Sequence, residues 1–278
     1  MCIESTAVPG IESREGDETM VSPHTSNESA RDRIIMALDV ESRDAALRLV
    51  DALDDDISFF KVGYQLFVAE GMSFVDELVE RKKRVFLDLK MDDVGATIAL
   101  AVEAITKHDV HLLTIHGGSA TARAALKGRR RANRRLPHIL SLTLLTSLDS
   151  TDLEDLGVIG EHAKCKSLDE YVDWRARQAI DAGCDGLITA GQNVERLRAR
   201  HPDTLIVAPG IRLRSDDSDD HKRPATPRRT IAHGADYLVI GRPIRDAAPG
   251  ERLGVVESIA NEIELGLEDR NRRDTAHQ

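Results

Sequence analysis

From Ile34 onward the chain alternates short apolar runs with amphipathic segments, and it does so eight times. No other feature restricts the fold as tightly. The apolar runs predict strands over 34–38, 57–62, 85–90, 111–115, 138–144, 186–189, 205–208 and 237–240. They are too short for helices, and their near-continuous apolarity fits strands covered on both faces. The segments between them predict helices over 42–53, with Ser42 as N-cap, then 64–81, broken near Gly71, 93–107 and 119–131. Short acidic helices follow within 151–182, then helices over 192–200, 227–233 and 251–266. Eight strand–helix units in one chain point to an α/β fold of the (β/α)8 (TIM) barrel type, a single domain over 34–267.

Such barrels carry their chemistry at the C-terminal ends of the strands. Asp39, Lys61, Asp88, Lys90, His116, Ser147, Arg212 and Arg242 all fall at or just after a predicted strand end. Surface polarity without function would scatter over both ends of the barrel.

The 278 residues, 41% hydrophobic, are enough for one large core. Aromatics at 3% leave few stacking platforms, and a net charge of −10 disfavours nucleic acid and anionic membrane as partners. Cys2, Cys165 and Cys184 have neither metal-ligand spacing nor an even count, which fits a reducing cytoplasm. No apolar run approaches the ~20 residues of a membrane span. Residues 1–33 are acidic and rich in Ser, Thr, Glu and Gly, without the marks of a secretory or transit peptide, and predict a disordered tail. Residues 268–278 read as a flexible C-terminal tail.

Residues 84–97 carry the densest chemistry. Val85, Phe86, Leu87 and Leu89 make a buried strand, yet Asp88 and Lys90 stand inside it and Asp93 follows it. Two residues apart, Asp88 and Lys90 share a face. Charges at that depth are tolerable only when paired with each other or with a ligand. Lys61, after Phe59 and Phe60, should point into the same barrel mouth. Lys61, Asp88, Lys90 and Asp93 then form an expected alternating chain of cations and anions. At ~4 Å and an effective dielectric near 20, each neighbouring pair is worth about 4 kcal/mol before desolvation. A rigid lysine can protonate a carbanion, and a rigid aspartate can repel a substrate carboxylate, so the array favours decarboxylation. Asp-x-Lys-x-x-Asp is also a possible Mg²⁺ site, but two lysines already supply the positive charge.

Gly210-Ile-Arg212 and Gly241-Arg242 follow strands seven and eight, where barrels commonly bind phosphate through backbone N–H groups and arginine. His116 reads as structural or hydrogen-bonding rather than catalytic. The basic run Lys127–Arg131 reads as a solvated helix end.

The motifs Ile34-Ile-Met-Ala-Leu-Asp39-Val, Phe60-Lys61-Val-Gly63, Phe86-Leu-Asp88-Leu-Lys90-x-x-Asp93 and Leu144-Leu-Thr-Ser147 now stand in order. Ala208-Pro209-Gly210-Ile-Arg212 and Asp236-Tyr-Leu-Val-Ile-Gly241-Arg242-Pro complete the set. Over about residues 34–265 this set resembles the orotidine 5′-phosphate decarboxylase family. The resemblance implies conversion of orotidine 5′-monophosphate to uridine 5′-monophosphate in pyrimidine synthesis, without metal or cofactor. It implies that Lys90 protonates C6, that Asp88 sits against the departing carboxylate, and that Lys61 and Asp39 contact the ribose hydroxyls and tie into the charge chain. Ser147 would read the pyrimidine amide edge, with Pro209, Arg212, Gly241 and Arg242 around the phosphate. A homodimer is implied, in which Asp93 and Thr97 act in the partner's site.

The sequence departs from the family pattern where Asp92 and Val94-Gly-Ala-Thr97 flank Asp93, which leaves two candidate aspartates for the crossing; spacing favours Asp93. It departs again in the polar loop 213–223, where His221 stands in place of a phosphate-contacting glutamine. Two rivals remain: a Mg²⁺-dependent 3-keto-hexulose-phosphate lyase or decarboxylase on the same barrel, and a barrel kept as a binding scaffold. Lys61 disfavours the first, and a set of four buried charges the second.

Overall fold

A computed structural model describes residues 28–213 and 225–276. Each predicted strand forms: β1 (Ile34–Ala37), β2 (Phe59–Gly63), β3 (Arg84–Met91), β4 (Leu112–Ile115), β5 (His138–Leu142), β6 (Gly186–Ile188), β7 (Leu205–Pro209) and β8 (Tyr237–Ile240). Neighbours pair in parallel and in sequence order, and β1 pairs with β8 to close the barrel. The helices are α1 (Arg43–Ala52), α2 (Tyr64–Glu80), α3 (Gly95–Ile105), α4 (Ser119–Arg131) and α5 (Ser150–Asp155). They continue with α6 (Leu168–Asp181), α7 (Val194–Arg200), α8 (Pro227–Ala232), α9 (Arg242–Arg245) and α10 (Arg252–Ala276).

Local sequence explains the ends. The Ser42 side chain accepts the Ala45 N–H and caps α1. Gly71, at φ 65° and ψ −160°, breaks α2 where the sequence predicted it. Gly128 lets α4 lie against α3, because a Cβ there would stand 2.2 Å from the Ala99 carbonyl oxygen.

Strand alternation divides the core in two. Ile35, Phe59, Phe86, Leu112, Leu140, Val207 and Val239 cluster together inside the barrel. Their neighbours Ile34, Met36, Phe60, Val85, Leu87 and Leu113 pack with the helices instead. Four of the five phenylalanines, Phe59, Phe60, Phe74 and Phe86, are fully buried. Each contributes about 1.5–3 kcal/mol of transfer free energy. The N-terminal mouth of the barrel is closed by Arg84 stacked 4.5 Å over Phe59, with Tyr237 and His111 edge-on to the same ring.

Both domain boundaries differ from expectation. Residues 28–33 belong to the folded body. Arg33 is buried and donates to the Asp236 carbonyl at 3.2 Å, while Glu28 accepts from Arg84 at 2.6 Å and from Tyr237 at 2.9 Å. At the other end, residues 268–276 continue α10 rather than forming a tail. Gly266 does not stop the helix: it allows a close pass, since a Cβ there would lie 2.5 Å from the Arg228 carbonyl oxygen. Arg228 then pairs with Asp269 at 2.7 Å.

Candidate active site

The inward parity of each strand, carried past its last apolar residue, delivers the functional side chains. Ala37 is followed by Asp39, Phe59 by Lys61, Phe86 by Asp88, Val207 by Pro209 and Val239 by Gly241. Asp39, Lys61, Asp88, Pro209 and Gly241 line one cavity of about 360 Å³ at the C-terminal end of the barrel. Phe86, Leu142, Ile188 and Val239 supply its apolar wall.

The charges form a continuous array. Lys61 Nζ donates to Asp39 Oδ1 at 2.8 Å and lies 3.7 Å from Asp88 Oδ2. Lys90 Nζ donates to the same Asp88 oxygen at 2.9 Å. Lys61 is only 8% exposed, so water screens its pairs weakly. Gly63 leaves the space for this, because a Cβ there would stand 2.9 Å from Lys61 Nζ and 3.3 Å from Asp39 Oδ1. The array within the chain is therefore Asp39–Lys61–Asp88–Lys90. Asp93, expected as its fourth member, is exposed outside the cavity, its Oδ1 accepting the Val94 N–H at 2.6 Å. Asp93 lies two residues past the end of β3 on the turn into α3; Asp39 lies equally far past β1, but there it meets Lys61 of the neighbouring strand β2.

β3 does not keep regular alternation through Lys90. Lys90 has φ 44°, and the register against β4 jumps from Leu87↔Leu113 to Met91↔Ile115. A non-glycine residue in the left-handed region costs about 1–2 kcal/mol. Strain of that kind collects at functional sites.

At the opposite wall, Gly210 turns the chain out of β7 at φ 78°. Arg212 and Arg242 both line the cavity and are exposed to an incoming ligand. Arg245 lines it too, a residue the sequence reading passed over. Its Nη1 donates to the Asp39 carbonyl at 3.0 Å, and Asp246 holds its Nε at 2.7 Å. Only the Gly-Arg dipeptide marked this region in the sequence, and Arg245 stands outside it.

Other expected residues lie elsewhere. Ser147 is exposed on the loop after β5 and does not line the cavity; Leu145 and Thr146 do. Thr97 is exposed on α3 and outside the cavity. His221 lies outside the described residues. Asp92 accepts from Thr121 at 3.0 Å, which ties it to its own chain and leaves Asp93 as the less engaged of the two. His116 does not line the cavity. Burial, and then the Arg175 guanidinium, pull its pKa below the usual imidazole value.

A cavity with an apolar wall, a charged array on one side and arginines on the other fits a ring compound bearing an anionic tail. The array can set a carboxylate against a substrate anion while holding an ammonium beside it.

Known proteins are similar to this chain in sequence and fold. The profile of the orotidine 5′-phosphate decarboxylase / HUMPS family matches residues 32–253. An orotidine 5′-phosphate decarboxylase of Rhodopseudomonas palustris (strain HaA2) is 42% identical over 234 residues, covering 84% of this chain and 95% of the relative. That of Methylococcus capsulatus is 42% identical over 220 residues, covering 78% of this chain and 86% of the relative. The crystal structure of orotidine 5′-phosphate decarboxylase from Lactobacillus acidophilus superposes with a TM-score of 0.71 at 29% identity, covering 84% of this chain and 99% of the other. The chain belongs to the orotidine 5′-phosphate decarboxylase / HUMPS family.

Proposed function

We propose that this protein decarboxylates orotidine 5′-monophosphate to uridine 5′-monophosphate and CO2. The observation that carries the reading is the Asp39–Lys61–Asp88–Lys90 array at the wall of a cavity with arginines opposite. Arg242 and the Gly241 backbone take the phosphate, with Arg212 and Pro209 beside them. Asp39 and Lys61 meet the ribose hydroxyls. The pyrimidine carboxylate is thereby driven toward Asp88, and the bound ground state carries the repulsion of two anions. The bond from C6 to the carboxylate carbon breaks, CO2 leaves, and the electron pair stays on C6. Lys90 Nζ, held by Asp88, stabilises that pair and delivers its proton to C6. Solvent returns a proton to Lys90 after release. The family resemblance alone assigns Ser147 to the pyrimidine amide edge and His221 to the phosphate.

The same reading makes the enzyme a homodimer in the cytoplasm, with Asp93 and Thr97 entering the partner's site. Exposed apolar side chains support this. Tyr64 and Val68 on α2 are 56% and 81% exposed, and Val94 and Leu100 by α3 are 68% and 61% exposed. These two helices follow the neighbouring strands β2 and β3, and Asp93 lies between β3 and α3. Large apolar side chains left exposed on neighbouring elements are what an interaction surface presents.

The Mg²⁺-dependent alternative draws no support from the geometry. The Lys61 ammonium occupies the place between Asp39 and Asp88 where a divalent cation would bridge them. Incubation with orotidine 5′-monophosphate, followed by its ultraviolet absorbance, tests the proposal. Turnover that survives a chelator is expected; an inert protein, or activity abolished by the chelator, overturns it.

A further inference from the structure

We infer that Thr114 is a positioning residue for the reaction, a side chain that fixes Asp88 and Lys90 relative to each other. The inference rests on the decarboxylase reading above. Thr114 sits on β4 with Leu112 before it on the inward face, and it is fully buried. Its Oγ1 donates to Asp88 Oδ1 at 2.8 Å and accepts the Lys90 backbone N–H at 2.9 Å.

A hydroxyl has one proton, and a backbone N–H can only donate. The Thr114 proton is therefore committed to Asp88. With Oδ1 held in this way, Oδ2 is the oxygen turned to Lys90 at 2.9 Å and Lys61 at 3.7 Å. The second bond answers a backbone need. Between Leu87↔Leu113 and Met91↔Ile115, β3 advances four residues while β4 advances two. The ladder is interrupted opposite Thr114, and its hydroxyl takes the Lys90 N–H in place of a β4 carbonyl. That bond anchors Lys90 at φ 44°, the turn that brings its side chain back over Asp88. One hydroxyl thus closes a loop through the Lys90 backbone, the Asp88 carboxylate and the Lys90 ammonium.

The test uses Thr114→Val, Thr114→Cys and Thr114→Ser in the full chain. Valine keeps the shape and removes both bonds. A misplacement near 1 Å costs about 100-fold in rate, so kcat should fall about 10- to 100-fold for valine and cysteine. The Michaelis constant and the affinity for uridine 5′-monophosphate, set mainly by the ribose and phosphate contacts, should stay within about twofold of wild type on this argument. Serine, which keeps the hydroxyl, should restore most of kcat. Should the valine variant fail to fold, cysteine against serine carries the comparison. Equal kcat for cysteine and serine overturns the inference, as does a loss confined to the Michaelis constant. A wild type inert toward orotidine 5′-monophosphate sinks the decarboxylase reading instead. A structural readout then still decides the positioning role. In crystals of a folded valine or cysteine variant, Lys90 should leave the left-handed region. Lys90 and Asp88 unmoved there overturn the inference whatever the activity.

Discussion

Replacing Lys90 by alanine and by glycine separates its backbone from its side chain. Both variants lose the ammonium and its 2.9 Å pair with Asp88, so that loss cancels when the two are compared. Both keep the backbone N–H on Thr114. What differs is the cost of φ 44°. For a residue with a Cβ the left-handed region costs about 1–2 kcal/mol. Glycine avoids it but loses about 0.4–1 kcal/mol through the greater freedom of its unfolded chain. The difference leaves Lys90→Gly more stable than Lys90→Ala by roughly 0.5–1 kcal/mol. At an ordinary strand position the sign is opposite, with glycine about 0.5–1 kcal/mol worse than alanine. Urea unfolding with a shared m-value resolves the two cases. A glycine variant equal to or less stable than the alanine variant refutes the claim that β3 stores strain at Lys90.

Three further outcomes follow. Arg242→Ala should raise the Michaelis constant for the nucleotide about 10- to 100-fold, from the loss of a charge-assisted bond of ~1.5–3 kcal/mol. Orotidine lacking the phosphate should be turned over equally by both proteins, and a difference there removes Arg242 from the phosphate. If Asp93 acts in trans, mixing inactive Asp93→Ala with inactive Lys90→Ala should restore activity, because each hybrid dimer holds one site with both groups; a mixture that stays inactive places Asp93 in its own site or in none. Finally, burial, with Arg84 and His138 nearby, lowers the pKa of His111 to about 4. Its folded pKa lies below the unfolded value, so the unfolded chain takes up the proton first as pH falls. Stability should drop between pH ~6.5 and ~4 by at most about 3 kcal/mol from this residue. His111→Phe should flatten that part of the pH–stability curve, and an unchanged curve would exclude His111 as its source.

Much of the barrel was legible because a two-residue period is hard to hide. Once Phe59 and Phe86 are inside, Lys61 and Asp88 must be inside as well, and the structure keeps both there. The fourth charge was legible only through the family resemblance. Asp39 meets Lys61 because β1 and β2 are neighbours and Gly63 leaves room, a relation between strands that no spacing along the chain records. Thr114 escaped notice because threonine is a good strand former and looks at home beside Leu113 and Ile115. The left-handed Lys90 escaped because lysine carries no signal for that conformation. Gly266 misled in the other direction. A glycine after a periodic stretch reads as a helix stop, yet this one serves the close approach to α8, and ion pairs such as Arg273–Glu195 at 3.2 Å hold the continuation. Asp93 and Thr97 stand apart from the cavity of their own chain.

The most direct test of the account is kcat for Lys90→Ala beside its affinity for uridine 5′-monophosphate. Loss of the proton donor should lower kcat by at least about 100-fold, the lower end for general acid catalysis. Product affinity should persist, since the phosphate and ribose contacts remain. A Lys90→Ala enzyme that folds, binds product and turns over at the wild-type rate contradicts the central claim that this ammonium delivers the proton to C6.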